Sequence, residues 1–371
     1  MSEKSNIAWT DSTVNFWEGC TKLSTGCQHC YAEARDRRMM VEKVIHWGKG
    51  APRRKSLSAV KQALTMNRKP WICDGCGEAT KLQPEKSWRI CGTPDQPLVC
   101  KCGCKTSHRR RIFSLSLSDW LDDEVPIEWL CEMLDTIRQC QNVVWILCTK
   151  RPGNWETRLR MVCVHLQCLK THNHLENPLW HFLNRWIPWN GIHRFEPPKD
   201  IILLTSVENQ EQADKRIPEL LKIPAACRGL SLEPLLGPVD LNCITIKDKF
   251  PGCASFDVLN DRMIHHDDNN NYTIGIGKLD WLIVGGESGP SARSCNVAWV
   301  RSLVKHGQAA AVKVFVKQLG AKPVESQLVV GSASPGKDVP LGATRLITDK
   351  KGGDPAEWPV DLRVQEWPEV I

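Results

Sequence analysis

Near-continuous apolar runs recur along the chain, separated by helical or polar segments. They occupy Arg111 to Trp120 (RIFSLSLSDW), Asn142 to Pro152 (NVVWILCTKRP), Asp200 to Asn209 (DIILLTSVEN), Cys227 to Gly237 (CRGLSLEPLLG), Leu279 to Gly289 (LDWLIVGGESG) and Lys313 to Gly320 (KVFVKQLG). Runs this rich in Val, Ile and Leu predict strands buried on both faces, as in parallel sheets covered by helices. Between them, Ile127 to Gln141 opens after Pro126 with apolar residues at helical spacing, Gln210 to Leu221 is amphipathic, and Val297 to His306 follows Asn296 as a cap. A further strand within NIAWTDSTVNFWEGC brings the expected number to about seven. Strand and helix in alternation predict an α/β fold, a full or partial (β/α) barrel, with a doubly wound open sheet as the alternative.

Polar residues fall where these strands end: Ser116, Ser118 and Asp119; Thr149, Lys150 and Arg151; Ser206, Glu208 and Asn209; Ser231 and Glu233; Gly285, Gly286 and Glu287; Lys317. A parallel barrel builds its site at that mouth, so their recurrence on successive strands marks it. Taken singly, each also fits a cap or a turn. Three stretches interrupt the rhythm of the barrel, which is expected over 1–321: a Cys-rich insertion at 65–110, a His- and Trp-rich one at 160–198, and a loop or hairpin at 244–278. A tail at 322–371, with Pro, Gly and Ser, reads as irregular and peripheral.

The composition is that of a globular protein, with 42% hydrophobic and 25% charged residues. No apolar run reaches bilayer length and the start MSEKSNIAWTDST has no signal-like pattern, so the expected location is the cytoplasm, or the host cytoplasm if the chain is phage-encoded. In a reducing compartment, 18 cysteines point to metal chemistry rather than disulfides. The net charge of +7 is concentrated in Arg35 to Lys55 and in HRRR, His108 to Arg111. Such patches suit phosphate backbones, and equally a solvated basic face. Sixteen tryptophans against two tyrosines would mostly fill the core, with some free to stack on bases.

Two cysteine groups stand out. Cys20, Cys27 and Cys30 in GCTKLSTGCQHCYA are separated by six residues and then two. Three thiolates can hold three irons of a [4Fe-4S] cube and leave the fourth iron open, whereas a zinc site would need a fourth ligand such as His29 or His46. The second group opens with a knuckle, Cys73 and Cys76 in ICDGCGE, followed by Cys91, Cys100, Cys102 and Cys104. Four of these six would close a structural Zn2+ site and fold a zinc-ribbon-like insertion, with an auxiliary iron-sulfur cluster as the other possibility. Arg68, Lys69, Lys101, Lys105 and Arg109 to Arg111 flank it with positive charge. CVHLQCLKTHNH, Cys163 to His174, matches no clean metal spacing and reads as structural.

The stretch NIAWTDSTVNFWEGCTKLSTGCQHCYAE, Asn6 to Glu33, resembles a phage and prophage family described by its three-Cys motif, with an N-x-x-W-T-D opening and G-C-x(6)-C-x-x-C-Y-A-E. The likeness continues through SLSDW, CTKRP, TSVENQEQADKRI, LSLEPLLGPVDL, VGGESGPSAR and FVKQLG. This family is similar to radical SAM enzymes, distantly to spore photoproduct lyase, although that superfamily spaces its cysteines by three and two. Here His29 replaces the aromatic residue usual before the last cysteine. The resemblance implies a radical SAM-type barrel with a [4Fe-4S] cluster on Cys20, Cys27 and Cys30, S-adenosyl-L-methionine on the open iron, and an electron donor such as flavodoxin or ferredoxin. It further implies an isomerase that rearranges a modified thymine base during phage DNA hypermodification, with a DNA repair lyase as a second enzymatic reading. A non-catalytic, zinc-stabilised DNA-binding protein is the reading from another class. By strand-end analogy Ser118 and Asp119 would take the methionine amino group, Ser206 and Glu208 the ribose hydroxyls, and Gly285, Gly286 and Glu287 a close backbone approach. Lys150, Arg151 and Arg293 would meet a carboxylate or phosphate, or else pair with Glu233 or Glu287.

Overall fold

The computed structural model describes residues 4–39, 44–81, 102, 104, 106–168, 176–187, 196–245, 254–265, 271–273, 277–326, 338–340 and 348–369. All seven expected strands form: β1 (Ser12–Val14), β2 (Arg111–Ser114), β3 (Val144–Thr149), β4 (Ile201–Ser206), β5 (Cys227–Leu232), β6 (Trp281–Gly285) and β7 (Lys313–Gln318). They make one parallel sheet in which each strand pairs with its successor in the chain. A doubly wound sheet would reverse its order at a switch point. This order never reverses, so the sheet is a curled half-barrel.

The pleat divides each strand between two cores, since successive side chains point to opposite faces. Val144 and Ile146 of β3 join Ile202, Leu204, Trp281, Ile283 and Phe315 on the inner face, around Trp9. Trp145 and Leu147 join Ile201, Leu203, Leu282 and Val284 on the outer face, under the helices. The helices are α1 (Tyr31–Met39), α2 (Ala59–Asn67), α3 (Ile127–Gln139), α4 (Trp155–Cys168), α5 (Pro178–Trp186), α6 (Gln210–Leu221) and α7 (Val297–Ala309). Caps fix several starts: Asn209 Oδ1 accepts from Gln212 N at 3.1 Å, and Asn296 Oδ1 from Ala298 N at 2.9 Å.

The interruptions take definite forms. After α2, Trp71–Cys73, Ala79–Thr80 and Ser107–Arg109 make a small antiparallel sheet. The described parts of the His- and Trp-rich stretch, in α4 and α5, lie in the outer layer, where Trp155 and Trp186 meet at 5.6 Å. Between β5 and β6, where a helix would be expected, a four-stranded antiparallel meander runs over Ile244–Thr245, Ala254–Asp257, Arg262–His265 and Asn271–Thr273. Among the described residues no helix is long and apolar enough to cross a membrane.

The tail, expected to be irregular and peripheral, contributes two strands, Pro323–Ser326 and Asp338–Pro340, to a small sheet with Cys295–Asn296, and it enters the core. Trp358 and Leu362 are fully buried in the outer core. Residues 364–366 run along the free edge of β7, where Val316 N donates to Val364 O at 2.8 Å and Glu366 N to Val314 O at 2.9 Å. Trp367 then packs on Phe315 at 4.9 Å and donates to Trp9 O at 3.1 Å. The strap thus joins the last strand to the segment ahead of the first.

Candidate functional site

The strands carry their inward-facing positions up to a cavity of about 240 Å3 at their C-terminal ends. Its floor is apolar, with Ile7, Trp9, Phe113 and Leu115, and its rim holds Cys20, Cys27 and Cys30. Cys20 is set by Gly19, whose φ of +109° and close approach to His46 O exclude a side chain. Gly19 also extends the β1–β2 pairing, as Ser118 Oγ donates to its carbonyl at 2.6 Å. Cys27 ends a 3-10 turn over Thr25–Cys27, and Cys30 immediately precedes α1.

Ion pairs from three strand ends clamp this loop. Glu208, fully buried, accepts from Ser24 Oγ at 2.9 Å and from Arg216 at 2.9 Å, with Lys150 Nζ at 3.5 Å. A Cβ on Gly26 would lie 2.3 Å from the Glu208 carboxylate, so only glycine fits against it. On the opposite side Glu287 pairs with Arg293 at 2.7 Å and with His29 Nδ1 at 3.2 Å, while Arg293 Nη1 donates to Thr25 O at 2.9 Å. Burial opposes ionisation of Glu287, but the hydrogen bonds from Arg293 and His29 hold its carboxyl down at about 2.

Arg151 reaches the cysteines directly. Its Nη1 donates to Cys20 Sγ at 3.6 Å and to Asp119 Oδ2 at 3.0 Å, and its Nη2 to Thr21 O at 3.0 Å. Burial first, and then Asp119, push the Cys20 thiol up to about 12, with Arg151 pulling the other way. Burial likewise raises Cys30. Burial works against the charge of Lys150, yet Glu208 and Cys27 raise its pKa, so it stays a cation.

Of the residues expected at the site, Ser118, Asp119, Ser206 and Lys150 line the cavity. Asp119, however, already accepts from Leu121 N, Thr149 Oγ1, Lys150 N and Arg151 Nη1. Four such bonds fill a carboxylate, which makes it the brace of the mouth. Glu208 and Glu287 stand behind the cysteine loop, and Gly285 and Gly286 serve packing. A Cβ on Gly285 would lie 2.7 Å from Glu233 Oε1, and one on Gly286 2.3 Å from Leu319 O. Lys150 and Arg151 pair with Glu208 and Asp119, not with Glu233 or Glu287. The cavity also holds Cys148, Tyr31 and Trp47, which strand-end polarity does not pick out, and the pair Lys317–Glu233 at 2.8 Å. Cys148 is inward-facing by the same period-2 alternation as Val144 and Ile146, which is the signal that finds it.

Both histidines named as possible fourth ligands of the triplet have other partners. His29 is engaged by Glu287, and His46 is buried against Asp36 at 2.9 Å. Among the described residues, Cys20, Cys27 and Cys30 do not form a group with ligand atoms all within 4.8 Å of one another, with or without either histidine. Cys73, Cys76 and Cys102, in contrast, have sulfurs mutually within 4.8 Å and could hold a metal ion. Cys73 Sγ and Cys102 Sγ are 3.6 Å apart. A Cβ on Gly75 would lie 3.2 Å from Cys102 Sγ and 3.3 Å from Cys104 Sγ, so Cys104 is a neighbour of the group, although its sulfur is not within 4.8 Å of all three. Cys91 and Cys100, like Lys101 and Lys105, lie outside the described residues.

A family model described as a protein of unknown function (DUF5131) matches residues 4–344. The chain belongs to that family. No curated protein and no solved structure matches it. The span shared with DUF5131 includes both cysteine groups and all seven strands, and stops short of the strap at 348–369.

The basic stretches are largely consumed within the fold. Arg35 and Arg54 pair with Glu18, Arg37 with Glu33, Lys55 with Glu132, and the buried Arg53 with Asp122. In HRRR, His108 and Arg111 bind Asp11, and Arg109 donates to the carbonyls of Gln141, Asn142 and Val143. Most described cations of these two runs therefore have an ion-pair or hydrogen-bond partner within the fold.

Proposed function

We propose that this chain is a radical SAM enzyme that carries a [4Fe-4S] cluster on Cys20, Cys27 and Cys30, binds S-adenosyl-L-methionine beside it, and rearranges a modified thymine base in phage DNA. The observation that carries the reading is the convergence of three thiols, Cys20, Cys27 and Cys30, on one cavity at the C-terminal mouth of a (β/α) half-barrel. The motif likeness to the three-Cys phage family supports the nucleobase substrate.

The cluster with its sulfonium cofactor supplies, on one-electron reduction, a 5′-deoxyadenosyl radical able to abstract an unactivated hydrogen. The protein's own contribution is position and exclusion. Glu208 on one side and the Glu287–Arg293 pair on the other fix the cysteine loop, so the thiols keep their spacing. The Arg151 N–H directed at Cys20 Sγ stabilises a thiolate ligand there. Lys150 places a cation among these thiols, suited to a carboxylate or phosphate. The Trp9 and Phe113 floor keeps water from a reactive carbon centre. A base must leave the duplex to reach such a cavity.

Anaerobic reconstitution tests this. The expected product is a brown protein with about four irons and four sulfides at the triplet, which releases 5′-deoxyadenosine from S-adenosyl-L-methionine under reductant. Cys27→Ala should abolish that release. A colourless protein holding zinc alone would instead return the chain to a non-catalytic DNA-binding role. Turnover of damaged but not modified thymidine would make it a repair lyase.

A further inference from the structure

The wall of the cavity formed by β5 and β7 carries polar groups for which the cluster chemistry has no use. Ser231 and Glu233 stand two residues apart at the end of β5, and both line the cavity. From the end of β7, Lys317 reaches across to Glu233, with Nζ 2.8 Å from Oε1. The strand between them, β6, ends in Gly285, where any Cβ would fall 2.7 Å from Glu233 Oε1. That glycine lets the carboxylate lie over β6 and meet the lysine.

These groups have capacity to spare. An ammonium has three donors, a carboxylate about four acceptor sites and a hydroxyl one donor. The pair uses one donor of Lys317 and one site of Glu233, and Ser231, only 7% exposed, is turned to the same space. The wall thus carries a donor on Lys317, an acceptor on Glu233 beside it and a second donor on Ser231, all facing one cavity. We infer that Lys317, Glu233 and Ser231 read the imide edge of a thymine-type base, whose carbonyl, N3–H and second carbonyl present acceptor, donor, acceptor. The ring face of the base lies over Phe113 and Trp9.

Cytosine reverses two of the three matches. Its amino group brings a donor to Lys317, and its unprotonated N3 brings a lone pair to the Glu233 carboxylate. A site built to hydrogen-bond a given edge discriminates strongly against a ligand lacking it, because its polar groups are left unpaired. This wall would therefore confine the reaction to thymine derivatives. The inference rests on the nucleobase substrate proposed above and adds the residues that select it.

The test uses three single-stranded oligonucleotides identical except for one central base: thymine, 5-methylcytosine or N3-methylthymine. 5-Methylcytosine keeps the methyl group and changes the edge, and N3-methylthymine removes the proton offered to Glu233. Binding is measured by fluorescence anisotropy on the full chain with S-adenosyl-L-methionine and no reductant, so nothing turns over. The expected result is a preference for thymine of about tenfold or more over both analogues. Lys317→Met and Gly285→Ala should bring it to near unity, and Lys317→Arg, which keeps the donor, should retain it. Circular dichroism and iron content confirm that each variant is folded and loaded. Equal binding of the three oligonucleotides, no binding, or a preference that survives Lys317→Met and Gly285→Ala overturns the inference. A thymine preference without any 5′-deoxyadenosine release under reductant would leave the edge reading standing and remove the radical chemistry.

Discussion

Gly26 shows how one residue commits a loop to its partner. It sits in the 3-10 turn that delivers Cys27, and the Glu208 carboxylate occupies the place where a side chain would begin. Glu208 cannot retreat, because Arg216 and Lys150 hold it from behind in a buried network where an unpaired charge would be costly. Gly26→Ala should therefore move the turn rather than the carboxylate. Overpacking of this kind costs about 1–3 kcal/mol, and a shifted Cys27 would lose its place in the ligand set. The expected outcome is a folded protein with a modestly lowered melting temperature that takes up far less iron than wild type. Full iron loading of Gly26→Ala would show that the turn adapts and that Glu208 does not set the geometry of the loop.

At the scale of elements, the cysteine knuckle is tied to the barrel through one histidine. His108, on the last strand of the small sheet, donates toward Asp74 of the knuckle at 2.6 Å and toward Asp11 at 3.1 Å, and Asp11 also accepts from Arg111 N at the start of β2 at 2.7 Å. Burial opposes the charge on Asp11, but His108 and Arg111 hold its carboxyl down at about 2 against an ordinary 3.8. A depressed carboxyl stabilises the fold above its unfolded pKa and ceases to as pH falls through the folded one. His108 is itself raised above 6.5 and so stays charged across that window. Asp11→Asn should cost roughly 2 kcal/mol near pH 6, and denaturant midpoints for the two proteins should converge as pH falls from about 4 toward 2. A gap that stays constant would place the stabilisation in packing. This link was not visible in the sequence, because Asp11, Asp74 and His108 are far apart along the chain and HRRR looks like a surface patch. The strands were visible, since burial on both faces writes Val, Ile and Leu at every position, and so was α6, which spans Gln210–Leu221 as its periodicity predicts. Cys148 was legible through the alternation of β3, whereas Tyr31 was not, because it reaches the cavity from the start of α1.

The whole molecule has to solve the problem of a sheet that curls without closing. Among the described residues no strand bridges β1 and β7, and an open parallel sheet leaves unsatisfied edges and an apolar interior exposed. The strap answers both needs: its backbone bonds to the edge of β7, Glu366 O accepts from Trp281 Nε1 at 2.9 Å, and Trp367 reaches Trp9 across the gap. Trp9 in turn packs on Phe113 at 4.7 Å, so the strap bears on the cavity floor from below. Its anchor is Trp358, which is fully buried and donates to Gly352 O at 2.9 Å. Trp358→Ala removes a large core side chain at a cost of about 3–5 kcal/mol. If the strap closes the half-barrel, the damage should not stay local: hydrogen exchange should accelerate at Val314, Val316 and Trp281 as well as around residue 358. Were the strap only a surface attachment, protection would fall around Trp358 alone while β6 and β7 kept theirs. Because Trp9 and Phe113 floor the cavity, the wider outcome would also make the mouth of this fold depend on the chain's last twenty or so residues.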